Sequence, residues 1–368
     1  MEKPPKGKLR TGLTTGACAA AAAKAAGLGL LRGVVPKEVN ISLPIGQTIT
    51  FSVDHAEVSL GKAHAGVIKD AGDDPDVTHG AEIVAEASWI ATPGEVRIEG
   101  GEGVGVVTKP GIGLCVGEWA INPVPRKMIV QALQEALGKS LEQKGVKVVI
   151  GVPQGAELAK KTLNPRLGIL GGISILGITG IVKPYSTAAF KASIHQALQV
   201  AKASGLDWVV LTTGDRTEES AMALFQGLPE EAFVQMGDFL HFAQASALRL
   251  GFKRITIVAM IGKMSKMAKG AKQTHASASQ VDMGFLSGLA KDIGASEPLA
   301  HEILKANTGR HTMEIVERSG LKGFYQALCE RTAAAFKQRL GQGALFEAVL
   351  VGFEGNVLGS ASSGEDQE

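Results

Sequence analysis

Residues Arg10–Ala26 read RTGLTTGACAAAAAKAA, and the unbroken alanines Ala19–Ala23 leave this stretch one favoured conformation, a helix. Alanine is the strongest helix former and projects only a methyl group, so other elements can approach such a helix closely. Immediately before the run, Arg10, Thr11, Gly12, Thr14, Thr15 and Gly16 gather an arginine, three hydroxyls and two glycines. A helix N-terminus presents unpaired N–H groups and partial positive charge, and glycine lets a ligand come near the backbone. An anionic group is therefore one candidate guest. Thr14 or Thr15 serves equally well as an ordinary N-cap.

The rest of the chain must supply the neighbours of that helix. At 368 residues it is expected to hold two domains, because single cores stop growing near roughly 250–300 residues. A net charge of +2 creates no field that would select nucleic acid or a membrane surface, so an anion site has to be local. Aromatic residues at 5% argue against a platform of stacked bases. Cys18, Cys115 and Cys329 are odd in number and lack metal-ligand spacing, which reads as reduced thiols. None of the eight histidines pairs with another His or Cys at ligand spacing, so no metal site is expected. The N-terminus MEKPPKGKLR is too polar for a secretory leader. The uncharged stretch Leu167–Val182, with 16 residues and five glycines, falls short of the roughly 20 apolar residues of a spanning helix. A cytoplasmic protein is expected.

Rhythm divides the chain. Val39, Ile41 and Leu43 alternate, as do Ile49, Phe51 and Val53, and the turn Pro44-Ile45-Gly46 joins them as a hairpin. Further strands are predicted near 63–69, 82–90 and 95–99, and Met128, Ile129, Ala132, Leu133, Ala136 and Leu137 recur at helical spacing within 123–137. From Val146 the pattern becomes short apolar strands (146–152, 208–212, 254–260) between helical segments (187–203, 218–225, 237–250), followed by helices over 278–340 and a strand at 345–351. The fold class expected is α/β: a two-layer α+β domain over 1–143 and a Rossmann-like domain with a mostly parallel sheet over 144–368. The polar tail 361–368 is expected to be disordered.

Several segments could carry chemistry. Gly100–Gly113, GGEGVGVVTKPGIG, brings glycines and Lys109 to one turn without the spacing of a P-loop, and a plain hairpin explains it as well. Gly72–Gly80, GDDPDVTHG, gathers acids that could hold Mg²⁺ or a cationic ligand, or simply bond their own turn; His79 could carry a proton. Arg126, in the first turn of a helix entered through Asn122 and two prolines, opposes the helix dipole, and a carboxylate partner would account for it. The dense segment Pro153–Ser186 offers Gly171, Gly172, Gly177, Thr179 and Gly180, flanked by Lys161, Arg166 and Lys183. Buried strand and tight turn explain its glycines equally well. Thr213, Gly214 and Asp215 follow an apolar strand, where an acid can bond ribose hydroxyls or match a helix N-terminus. Four lysines in 261–277, Lys263, Lys266, Lys269 and Lys272, are either a solvated face or the rim of an anion site.

Taken together, RTGLTTGACAAAAAKAA, DAGDDPDVTHG, GVGVVTKPGIG, AINPVPRKMI, KTLNPRLGILGGISILGITGIVKP and IGKMSKMAKG resemble the CbiD family of cobalt-precorrin-5B C-1 methyltransferases, over nearly the whole chain. Trp119 stands where the family pattern has proline, and Ile178-Thr179-Gly180 where Thr-Thr-Gly is usual. The resemblance implies transfer of a methyl group from S-adenosylmethionine to C-1 of a cobalt-containing tetrapyrrole, in the anaerobic cobalamin pathway. The cobalt arrives with the substrate, and no protein metal or nucleophile is required. On this reading Arg10, Thr11, Gly12, Thr14, Thr15, Gly16, Lys109, Asn122, Arg126, Arg166 and Lys183 are expected to grip substrate carboxylates. Asp73, Asp74 and His79 are candidates for proton handling. The acidic-x-Gly-x-Gly-x-Gly motif of common methyltransferases is absent, so the cofactor is assigned to Gly171, Gly172, Gly177, Thr179, Gly180, Thr213, Gly214 and Asp215. A homo-oligomer is compatible with the sequence. A small-molecule kinase and a non-catalytic tetrapyrrole carrier are the competing classes.

Overall fold

The computed structural model describes residue 7 and residues 9–275, 278–341 and 343–363. It forms two compact units, Met1–Thr187 and Ala188–Glu368. The boundary expected at 143/144 is thus displaced. Gly145–Gly151 reads in sequence as the start of a new parallel sheet, yet it pairs antiparallel with Glu82–Ile90 and parallel with Val96–Gly100 inside the first unit. A short apolar run reports burial on both faces and is silent about which sheet provides it.

The first unit is a five-stranded sheet in the order His55–Ser59, Lys62–Ile68, Glu82–Ile90, Gly145–Gly151, Val96–Gly100, antiparallel except for the last pair. Ala65, Val67, Ile83, Ala85, Ala87, Val146, Val148 and Ile150 supply its side of the core. The alanine helix, Thr15–Arg32, packs against this sheet, against helix Pro123–Leu137 and against the hairpin of Glu38–Ser42 and Thr48–Ser52. Residues Ala17 to Ala23 are wholly buried, because methyl side chains let neighbours close in from several sides at once. Helix Pro123–Leu137 turns Met128, Ile129, Ala132, Leu133, Ala136 and Leu137 inward, as its spacing predicts.

The second unit has the strand order Phe233–Gln235, Trp208–Thr212, Arg254–Ala259, Leu345–Val351, Val357–Ser362. The first four are parallel and the last is antiparallel. Val209, Leu211, Ile255, Ile257, Ala259, Phe346, Ala348 and Leu350 pack into one core, while Val210, Val258, Val349 and Val351 pack into another with Ala221 of helix Asp215–Leu224. Burial of both faces is why these strands read as continuous apolar runs. Ala361 and Ser362, expected in a disordered tail, pair with Ala348 and Glu347, and residues 364–368 lie outside the described residues.

In the first unit the segment before the alanine helix crosses the 69–80 loop at backbone contact. Leu13 donates its N–H to Asp70 O at 2.7 Å and Asp73 donates to Arg10 O at 3.0 Å. A Cβ on Gly12 would sit 1.9 Å from the carbonyl carbon of Ala71. Beneath the loop, the ammonium of Lys69, only 1% exposed, meets Asp76 Oδ2 at 2.7 Å, and Asp76 also accepts the Thr78 N–H and hydroxyl. Burial pushes the Asp76 carboxyl up, but Lys69 and the Thr78 donors outweigh it and hold it below its ordinary value. At the surface the Arg10 guanidinium grips both oxygens of Asp70. That contact and the Gly72 N–H hold Asp70 at about 2.

The crossing and the far end of the alanine helix, capped by Gly33, predict the effects of three substitutions. Gly12→Ala should lose about 3 kcal/mol in urea denaturation through forced backbone displacement. Gly33→Ala, at φ 74° with nothing within 4 Å, should lose about 1 kcal/mol. Because the folded value of Asp70 lies below its unfolded value of about 3.9, its pairing stabilises fully above about pH 4 and is lost as pH falls toward 2. The difference in Tm between the wild type and Asp70→Asn should be present at pH 6 and vanish near pH 2; a pH-independent difference would refute the pairing.

Candidate functional site

The first unit brings most of the expected substrate residues to one place, and it uses many of their polar groups internally. Gly12 and Leu13 pair antiparallel with Val182 and Ile181, so residues 10–16 run between the 70–74 loop and the 174–182 segment. Thr14 caps the alanine helix by accepting the Ala17 N–H at 3.2 Å. Thr15 accepts the Leu176 N–H at 2.9 Å, and its hydroxyl lies within hydrogen-bond reach of Ser174 O and Leu176 O. The N–H groups of Thr14 and Gly16 go to Gly180 O and Leu176 O. The start of this helix is therefore satisfied by protein, in the manner of a cap. Thr11 is exposed beside it.

The 72–80 acids are equally committed. Asp73 accepts the Arg10 N–H at 2.6 Å, and Asp74 accepts the Tyr185 N–H at 2.9 Å. Tyr185 has φ 52°, the left-handed region that a tyrosine adopts only when its surroundings hold it there. His79 accepts the Ala71 N–H on Nδ1 at 3.1 Å, which assigns the proton of the neutral ring to Nε2 on an exposed side chain.

The remaining candidates of this unit divide between scaffold and surface. Arg126 donates from Nε to Ile121 O at 2.8 Å and from Nη2 to Trp119 O at 3.4 Å, so carbonyls just ahead of the helix answer its guanidinium. Trp119 in turn lies where a Cβ on Gly100 would be, 2.5 Å from its ring. Asn122 is the N-cap residue of the same helix, without a side-chain capping bond. Lys109 lies against Gly168, and Arg166 stands in the turn just before it. Gly172 is buried against Gly103 and Gly180 against Leu43, Gly177 is half-buried against Thr14, and Gly171 is exposed. Thr179 bonds to Ile181 in its own turn. Lys183 is exposed next to the Gly12–Val182 pair, and Leu176 and Ile178 are exposed at 47% and 78% beside the capped helix start.

The second unit carries a cleft. Its first strand lies between the second and third, so the helices that follow the first and third strands, Asp215–Leu224 and Ile261–Ala268, leave the sheet on opposite sides of a crevice at the strand carboxyl ends. This is the topological switch point of an open parallel sheet. The cleft encloses about 470 Å³. Thr213, Gly214 and Asp215 line it as the sequence suggested, with an apolar wall of Met260, Val281 and Phe353. Asp215 accepts from Gln235 at 2.9 Å, and the same amide reaches Glu218 at 2.7 Å.

Four cations line this cleft: Arg216, Lys263, Lys266 and Arg310. Lys263 is anchored on Thr213 O at 3.0 Å and paired with Asp238 at 3.1 Å. Burial pushes Asp238 up, but the attraction of Lys263 and its hydrogen bonds hold it below its usual value. Lys266 donates to Thr274 O at 2.8 Å, and burial lowers its ammonium despite the nearby Asp238. Lys263 and Lys266 belong to the 261–277 lysines noted in sequence; Ala276 and Ser277 lie outside the described residues. Arg216 follows directly on Thr213-Gly214-Asp215. Arg310, at the start of helix Gly309–Ser319, and Phe353, in a distant turn, carry no local signal in the sequence. Among the described residues no three His, Cys, Asp or Glu side chains gather to hold a metal ion, and no helix is long and apolar enough to cross a membrane.

Comparisons with known proteins agree along the length of the chain. The family described as CbiD matches residues 1–184, and that described as CbiD, C-terminal domain, matches residues 273–362. The cobalt-precorrin-5B C(1)-methyltransferase of Geobacillus kaustophilus (strain HTA426) is 51% identical over 356 residues, covering 97% of this chain and 95% of its own. That of Priestia megaterium is 50% identical over 361 residues, covering 98% of each. The crystal structure of cobalamin biosynthesis protein (cbiD) from Archaeoglobus fulgidus is 28% identical over 86% of each chain, with a TM-score of 0.38. By these matches, the chain belongs to the CbiD family.

Proposed function

We propose that this protein is an S-adenosylmethionine-dependent methyltransferase that methylates C-1 of cobalt-precorrin-5B, giving cobalt-precorrin-6A in cobalamin synthesis. The observation that carries the reading is near-full-length similarity, at about half identity, to relatives bearing that activity in their names. The parallel sheet, its strand order and its switch-point cleft support a Rossmann-like second unit as the cofactor-binding part. A cleft of about 470 Å³ suits one nucleoside-sized ligand.

The cleft's donor set fits the cofactor. Asp215 is placed to accept from ribose hydroxyls, and Met260, Val281 and Phe353 offer an apolar wall to a purine. When bound, the cofactor supplies a methyl group activated by its positive sulfur. The macrocycle carbon is the nucleophile, so the chain's task is to hold the reactants in near-attack geometry and keep water out. No side chain has to form a covalent bond. Of the cofactor candidates named from sequence, we assign 213–215 to this role and treat 171–180 as scaffold of the first unit.

We assign the macrocycle to the first unit, on the surface formed by residues 10–16, 70–80 and 174–183. The exposed Leu176 and Ile178 offer an apolar surface to a flat ring, while Lys183 and Arg10 offer charge to its carboxylates. Arg10 would then exchange Asp70 for a substrate carboxylate of like geometry. Among the proton-handling candidates His79 is best placed, because Asp73 and Asp74 already accept backbone N–H groups that hold the loop. A biosynthetic substrate of this kind also supports a cytoplasmic location.

Incubation with methyl-labelled S-adenosylmethionine and cobalt-precorrin-5B should move the label to C-1; absence of transfer would overturn the reading. S-adenosylmethionine should raise Tm where ATP with Mg²⁺ does not, whereas the reverse result would favour a small-molecule kinase and no response to either a tetrapyrrole carrier. Asp215→Asn should weaken cofactor binding by about tenfold, worth ~1.4 kcal/mol, with little loss of tetrapyrrole affinity. Lys183→Ala should do the opposite, as titration calorimetry with each ligand can check.

A further inference from the structure

A second chamber of about 310 Å³ adjoins the cleft, and the two share Arg310 and Phe353. The guanidinium of Arg310 lies over the Phe353 ring, 5.1 Å from its centroid, so the pair forms a partition. The chambers differ in sign. On the cleft side are Arg216, Lys263 and Lys266 with the single carboxylate Asp215, and on the other side are Glu314, Glu317 and Glu354 with Asn356. Phe353 is exposed at 41%, at the tip of a hairpin whose turn is closed by Gly352 N–H to Asn356 O at 2.9 Å.

We infer that this partition sorts the two charges of the cofactor's amino-acid end: Arg310, with Lys263 on its cleft side, takes the α-carboxylate, and Glu314 with Glu317 takes the α-ammonium. The inference rests on the cofactor reading above. An α-amino acid carries both charges on one carbon, so a site that reads both must reverse sign within a few ångströms. Here the sign reverses across one side chain. The groups have capacity to spare. Arg310 is held by Glu314 through Nε at 3.3 Å, and a guanidinium has five N–H donors. Glu317 accepts the Tyr325 hydroxyl at 3.4 Å, which engages one of about four lone-pair sites on a carboxylate. A triphosphate would meet like charge beyond Arg310, so the same feature disfavours ATP.

The inference is tested by titration calorimetry on the full chain with S-adenosylhomocysteine and with 5′-methylthioadenosine, which keeps the nucleoside and lacks the amino-acid end. Wild type should bind S-adenosylhomocysteine at least tenfold more tightly. Arg310→Gln, and Glu314→Gln combined with Glu317→Gln, should each weaken S-adenosylhomocysteine about tenfold and leave 5′-methylthioadenosine within twofold, with unchanged Tm showing intact folding. An unaltered preference in these variants, or parallel loss of both ligands, overturns the sorting role. Equal binding of the two ligands by wild type overturns it while sparing the cofactor reading, and binding of neither defeats both.

Discussion

Backbone lying directly on backbone is the constraint on which the first unit depends. The segment before the alanine helix passes the 70–73 loop so closely that Gly12 has no room for a Cβ, and at Gly103 a Cβ would meet Val152 O at 1.9 Å. Such crossings leave no space for side chains that could compensate an error in register, because interiors are already near crystal density. They also fix where functional groups emerge. Arg10, His79 and Lys183 are exposed at the edges of the crossings, and their relative places are set by main-chain hydrogen bonds from Leu13, Ala71 and Asp73 and by the pairing of Gly12 with Val182.

The charged groups near these crossings are arranged as nested pairs. Lys69 and Asp76 lie beneath the loop, and Arg10 and Asp70 lie above it. The first is a buried pair whose lysine would be costly alone, and it fixes the loop's inner surface. The second is exposed, where an ion pair contributes little to stability. Low cost of opening is what an exchangeable carboxylate requires. A strong buried pair at Arg10 would make a better staple and, on the proposed reading, a poorer receptor.

Local structure was highly legible in the sequence, and assembly less so. The strand Glu82–Ile90, the helix Pro123–Leu137 and the strand Leu345–Val351 run where periodicity placed them, because each buries a regular face. Gly145–Gly151 was assigned to the wrong unit because its partners come from residues 82–100, and nothing in its composition names them. Among the glycines of the sequence motifs, Gly12, Gly103 and Gly172 mark where chain meets chain. That Thr213–Asp215 would line a cleft was readable, because the position after a parallel strand lies at the carboxyl edge of the sheet. Arg310 and Phe353 were not, since a residue brought in by a distant helix start or hairpin tip leaves no local pattern.

The contrast between the two units bears on how such a chain can work. Around the alanine helix, polar groups that sequence alone would offer to a ligand are mostly spent on holding the fold, and what remains is apolar surface edged by a few charges. In the switch-point cleft the sheet beneath is sealed on both faces by apolar packing, and charged side chains of both signs, Asp215, Arg216, Lys263, Lys266 and Arg310, line the space at its carboxyl end. A large ring with an apolar face needs a shaped surface and little directed bonding, whereas a small zwitterionic nucleoside is recognised only by groups placed one by one. On the proposed reading, each unit offers one of these two kinds of surface.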